Sequence, residues 1–119
     1  MNPSLALSGS NAEIQAQVQP VFEHIMTAHE EADYQKILPL LSDEMRLAFD
    51  EATFESIVAD HLAGLGDLVE IQWLGSLQKA DATQALWKAR YDSAPSEVLW
   101  QVFLAQKEGG VEIVGLLFS

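Results

Sequence analysis

The chain has 119 residues, 18 acidic against 6 basic side chains, a formal charge of −12 and no cysteine. That length fits one domain with one core, and the missing cysteines exclude disulfides, thiolate metal sites, iron–sulfur clusters and cysteine nucleophiles. Residues 1–66 hold eleven acids against Lys36 and Arg46. A half this acidic repels phosphate backbones and anionic lipid, so neither nucleic acid nor a membrane surface is expected as a partner; solubility is the simplest role of the charge.

Residues 1–9 read as a flexible arm, and residues 10–119 as a single domain. The arm has no basic n-region and no long apolar run, so it does not read as a signal peptide, and no segment approaches the ~20 apolar residues of a membrane span. The expected compartment is the cytoplasm, or the periplasm if a leader has been removed.

Ser10-Asn11-Ala12-Glu13 has the spacing of a capping box, and an apolar stripe follows at Ile14, Val18, Phe22, Ile25 and Met26. Together they predict an amphipathic helix to about His29. Pro20 falls inside it and predicts a kink or a second start. Asp33 is a suitable N-cap for a short helix carrying Tyr34, Ile37, Leu38 and Leu41, and Pro39 keeps it short. Ser42 predicts another turn or two, and Thr53 a further helix with Phe54, Ile57, Val58, His61 and Leu62. Gly64 and Gly66 end that helix.

Beyond Gly66 the apolar period changes from about 3.6 to 2. Leu68–Leu77, Thr83–Tyr91, Val98–Gln106 and Val111–Phe118 read as four strands joined by short polar turns, hence an antiparallel meander. The fold class is therefore α+β, with N-terminal helices packed on a four-stranded antiparallel sheet. Strand parity places Val69, Ile71, Trp73, Ala85, Trp87, Ala89, Tyr91, Val98, Trp100, Val102, Val111, Ile113 and Leu117 on the face the helices must cover. The opposite face mixes charged and amide groups with Leu74, Leu86, Leu99, Phe103, Leu116 and Phe118. So many large apolar groups on an outer face predict an interface. A bulge in any strand would shift this parity beyond it.

A long first helix, the step Ala32-Asp33-Tyr34 into a second, a helical stretch ending in Leu65-Gly66-Asp67-Leu68, and then a sheet resemble the nuclear transport factor 2-like superfamily. Its members share a cone-shaped α+β fold and include ketosteroid isomerase, scytalone dehydratase, polyketide cyclases and small bacterial proteins of unknown role. The resemblance covers about residues 12–119. It implies a curved sheet whose concave face meets the helices and encloses a pocket, and a convex face that forms a dimer. Because the fold hosts enzymes and non-catalytic modules alike, function must come from the site.

No metalloprotease motif, phosphate loop, calcium loop or nucleophile triad is present, and no metal or cofactor is expected. Four constellations remain. His29 with Asp33 and Tyr34 has the parts of a base, an orienting carboxylate and an oxyanion donor. The structural alternative is a helix-end histidine, an N-cap and a packed ring. The second candidate is His61 with Asp60, or His24 with a carboxylate neighbour in space, but Asp60 and His61, adjacent on a helix, point apart. Trp73, Trp87, Tyr91 and Trp100 form either a ligand pocket or plain core, and no carboxylate lies on their face to act as an isomerase base. Lys88 and Arg90 either hold an anion or pair with Glu70, Glu97 or Glu112.

These residues favour a non-catalytic homodimeric module that binds a small hydrophobic ligand or a partner, its interface built from Leu74, Leu86, Phe103, Leu116 and Phe118. Two alternatives stand beside it. One is an isomerase, dehydratase or cyclase acting on a small apolar substrate, with His29, His61 or Asp33 as base. The other is an accessory subunit whose outer face meets a different protein.

Overall fold

The structure, a computed structural model, describes residues 6–108 and 110–119. Helix α1 spans Asn11–Glu30. Ser10 accepts the Glu13 amide proton and the Glu13 carboxylate accepts that of Ser10, so the capping box closes in both directions. Pro20 does not divide the helix, which runs through it with the proline ring on the exposed side.

Ala32 turns the chain in the left-handed region (φ 53°), and Asp33 caps α2 (Tyr34–Ile37), which tightens into a 3₁₀ turn at Leu38–Leu40 over Pro39. Ser42 caps α3 (Asp43–Ala48). Helix α4 (Glu51–Ile57) is capped by Asp50, whose carboxylate accepts the Thr53 amide. Thr53 is thus not the cap but the third helical residue, the usual donor to such a cap. The same segment then widens into a π-helical turn at Val58–Leu62 and ends in a 3₁₀ turn at Ala63–Leu65 before Gly66.

Strands β1 (Leu68–Gln78), β2 (Thr83–Tyr91), β3 (Val98–Lys107) and β4 (Gly110–Phe118) form one antiparallel sheet in the order β1-β2-β3-β4. The chain is therefore α+β, helices first and meander second. Gly109, in the last turn, lies outside the described residues.

The core lies between α1, α2, α4 and the inner sheet face. Phe22 stacks on Trp87 with centroids 4.1 Å apart and meets Trp100 edge-on. Trp87 is fully buried, and its Nε1 donates to Gln19 Oε1 at 2.9 Å, which satisfies the one polar atom that the ring brings inside. Leu7 is buried too. Its amide donates to Thr83 Oγ1 at 2.8 Å, and its carbonyl accepts from Gln78. The arm is consequently docked on the sheet at residues 6 and 7, where Gln106 also holds the Ala6 carbonyl; residues 1–5 lie outside the described residues.

Three bulges correct the face assignments. Val69 is left over between the pairs Leu68–Tyr91 and Glu70–Arg90, and Leu74 between Trp73–Trp87 and Gly75–Leu86. In β4, Val114 is left over between Leu104–Ile113 and Phe103–Gly115. Each extra residue flips the parity that follows it. Val69 is therefore exposed rather than inward, and Leu117, expected inside, is 55 % exposed. Leu116 and Phe118, expected on the outer interface, turn inward: Phe118 stacks on Trp100 at 4.8 Å and both pack against the core. The outer face keeps Leu86, Leu99 and Phe103, with Leu74, Leu77 and Leu117 exposed at or beside it.

Candidate functional site

The helical cover closes one end of the sheet, where β1 and β3 begin and β2 and β4 end. Two cavities lie there, and His29 lines both. The first, about 440 Å³, is walled by Met26 and Glu30 of α1, Val58 and Leu62 of the π turn, and Tyr91 at the end of β2. Gly66, Asp67 and Leu68 form its rim. The second, about 310 Å³, is walled by Phe49, Ile57, His61, Trp100 and Leu116–Phe118. Val58 and Leu62 of the π turn line the first cavity, and Ile57 at the end of α4 lines the second with His61 of the turn. π turns of this kind recur at functional sites.

His29 is 7 % exposed. Its ring sits 4.9 Å from Phe54 and 5.4 Å from Trp100. Nδ1 lies 2.7 Å from the Ile25 carbonyl. A carbonyl only accepts, so Nδ1 carries the proton and Nε2 the lone pair. Burial pushes the His29 pKa below its ordinary value, against the smaller opposing effect of the Ile25 hydrogen bond. The ring is thus neutral at neutral pH, with Nε2 facing away from the α1 backbone and unpartnered among the described residues.

Tyr91 stands on the opposite wall. Its hydroxyl accepts from Trp100 Nε1 at 3.3 Å, leaving its own proton and a second lone pair for another group. Burial raises its pKa; the Trp100 hydrogen bond opposes the rise and the Glu30 charge adds to it, so the group stays a phenol. Glu30 lines the same cavity as Tyr91.

The other expected site residues are placed differently. Asp33 does not orient His29; its carboxylate accepts the Gln35 amide at 3.1 Å as the cap of α2. Tyr34 is buried, with its hydroxyl donating to the Phe49 carbonyl at 2.7 Å, so it packs and braces the α3–α4 connection. His61 is exposed at the mouth of the second cavity, edge-on to Phe118. Asp60 accepts from Ser56 instead of meeting His61, and His24 lies on the surface against the Lys36 carbonyl. Of the four aromatic residues expected in a pocket, Tyr91 lines the first cavity and Trp100 the second, whereas Trp87 is fully buried against Phe22. Trp73 is half-buried beside Trp87, and its Nε1 is the one buried side-chain polar atom without a partner among the described residues. Lys88 pairs with Glu97 at 2.9 Å, and Arg90 meets Glu70 at 3.9 Å.

Sequence reasoning missed Glu30, Asp67 and Phe49 as neighbours of His29. Glu30 directly follows His29 and Asp67 opens β1, but no local spacing links the two, because the sheet end and the helix end meet only in the folded chain. Among the described residues no group of three or more potential ligands is placed to hold a metal ion, and no helix is long and apolar enough to cross a membrane.

The burial of His29 makes stability depend on pH. The unfolded chain takes up a proton near the ordinary histidine value of about 6.5, before the folded chain does. Stability is therefore full above that pH and falls as the pH drops below it, levelling off once the folded ring also protonates. The slope from this residue is at most about 1.4 kcal/mol per pH unit. Urea titrations of the wild type and His29→Phe between neutral and mildly acidic pH check this: the variant should lose that part of the slope, and an unchanged slope would contradict it.

Comparison with known protein families, curated proteins and solved structures returns no match for this chain.

Proposed function

We propose that this chain is a small-ligand-binding module of the nuclear transport factor 2-like type, non-catalytic and dimeric through its outer sheet face. The observation that carries the ligand reading is the meeting of two cavities at a buried, neutral histidine with a free acceptor atom. His29 Nε2, open to the cavities, can accept a hydrogen bond that a ligand donor supplies. The volumes fall in the range of small-molecule sites, and the mixture of aromatic walls with a few convergent polar groups is what such sites share.

The dimer rests on apolar content and charge. Leu86, Leu99 and Phe103 lie on an outer face where Lys88 pairs with Glu97 and Arg90 with Glu70. In a chain of charge −12, these pairs cancel along β2, away from the acids Asp43, Glu44, Asp81 and Glu112 beside Phe103, and two copies meeting there face less repulsion than the helical half would impose. Phe103 lies over Gly115 of the neighbouring strand, where the missing side chain gives the ring its place. Phe103→Glu should convert a dimer to a monomer in sedimentation velocity without loss of fold. A wild type that sediments as a monomer would remove the dimer from the proposal and leave the ligand site standing.

The ligand reading is tested by titrating the protein with a flat apolar probe bearing one hydroxyl, naphthylethanol, and following tryptophan fluorescence. Trp100 lines the second cavity, so saturable quenching is expected, and Leu116→Trp, which fills that cavity, should abolish it. Quenching that is absent, or unchanged in the filled variant, contradicts the reading.

A second reading has one observation in its favour: His29 Nε2 is a neutral base beside a phenol donor, Tyr91. These are the parts needed to move a proton next to a carbonyl in an isomerase or lyase. Deuterium exchange of an apolar ketone such as tetralone, catalysed by the wild type and lost in His29→Gln, would favour the enzyme over the binding module.

A further inference from the structure

The two cavities differ in character. The one walled by Tyr91 carries the carboxylates Glu30 and Asp67 and no Lys or Arg among its lining residues. Neither carboxylate belongs to an ion pair among the described residues; the pairs present engage Glu31, Asp43, Glu70 and Glu97. The other cavity has an apolar floor, with Trp100 and Phe118 stacked 4.8 Å apart and Phe49, Ile57 and Leu116 around them. His29, only 7 % exposed, stands between them with Nε2 open.

We infer that the ligand is an amphipathic amine, its ammonium head in the Glu30–Asp67–Tyr91 compartment and its apolar body on the Trp100–Phe118 wall. This deepens the ligand-binding reading above and rests on it. Each polar side chain of the first cavity can accept, and of them only the Tyr91 hydroxyl also donates. His29 Nε2 offers a lone pair, Tyr91 Oη keeps one after accepting from Trp100, and the two carboxylates accept only. An ammonium brings three donors and no acceptor, matching that set. A carboxylate ligand would meet two like charges with no counter-ion, and an alcohol would satisfy His29 while leaving both carboxylates unused. The acidity of the whole chain draws cations toward the mouth.

Three probes with the same apolar body separate the possibilities: naphthylethylamine, naphthylethanol and naphthylacetate, titrated at neutral pH and physiological salt. The amine should bind about tenfold or more tightly than the alcohol, and the acid more weakly than either. In the Glu30→Gln/Asp67→Asn double variant, both changes at exposed positions, the amine should fall to the affinity of the alcohol, whose own binding stays unchanged. If the alcohol or the acid binds as tightly as the amine, the ligand site stands and the ammonium head is overturned. If the double variant keeps the amine preference, the carboxylate assignment is overturned. If none of the three binds, the ligand-binding reading falls with it.

Discussion

Replacing Phe22 with alanine should lower the unfolding free energy by about 3–5 kcal/mol, the range for removing a large aromatic ring from a packed core. Phe22 is fully buried on α1. Its ring lies 6° from parallel with Trp87 at 4.1 Å and edge-on to Trp100 at 6.2 Å. It is the contact through which the long helix reads the centre of β2 and β3. The loss has two parts, the apolar area returned to water and the void left against two rigid indoles that cannot collapse inward. Phe22→Leu, which keeps most of the volume, should cost clearly less. Denaturant unfolding followed by far-ultraviolet dichroism decides it. A change under about 1 kcal/mol for the alanine variant would mean that the helix–sheet packing described here is not the native one.

Gly66→Ala is the second large effect. Gly66 adopts φ 85° and ψ −156°, a region open essentially to glycine and costing another residue about 1–3 kcal/mol. A Cβ there would also fall 2.0 Å from Asp92 Oδ1 and 2.5 Å from Ser93 Oγ. These groups form a latch. Asp92 Oδ1 accepts the Asp67 amide at 2.9 Å, and the Ser93 amide donates to the Leu65 carbonyl at 2.9 Å. The latch fixes the start of β1 to the turn after β2 and so holds the rim of the first cavity. Gly64 is the control. Nothing lies within 4 Å of its added Cβ and its φ is not positive, so Gly64→Ala should be neutral or stabilising by up to about 1 kcal/mol. Equal midpoints for the two variants in thermal unfolding would contradict the role given to Gly66.

The same residues show what a sequence can carry. The span of β2 was legible to the residue, Thr83–Tyr91, because alternation and flanking turn residues are local signals. The caps at Ser10, Asp33 and Ser42 were legible for the same reason: each acts within three residues of itself. The bulges at Val69, Leu74 and Val114 were not. A bulge is a choice of register between two strands, and a valine or leucine left over looks like any other strand residue. Gly75 (φ 139°) and Gly115 stand beside two of them and are the only local marks. One leftover residue in β4 sufficed to move Leu116 and Phe118 from the expected outer face into the wall of the second cavity.

The candidate site was legible in part. His29 was among the residues singled out, and of the two readings given for Asp33 and Tyr34 the structural one, an N-cap and a packed ring, holds. Asp33 and Tyr34 lie close to it in sequence and are consumed by a cap and a carbonyl. Tyr91 and Trp100 come to it through the tertiary fold, and Glu30, its direct neighbour in the chain, lines the same cavity. The π turn at Val58–Leu62 had no sequence signal either, since its residues would suit an ordinary helix equally well.

Nitrogen-15 magnetic resonance of the histidine rings, recorded against pH with and without naphthylethylamine, tests the site most directly. For His29 the expected result is a proton on Nδ1, a pKa below the ordinary value, and an Nε2 signal that moves toward the hydrogen-bonded range when the amine is added. A His29 ring protonated on Nε2, titrating at or above the ordinary value and indifferent to the amine, would contradict a neutral acceptor at the junction of the two cavities and the ligand site built around it.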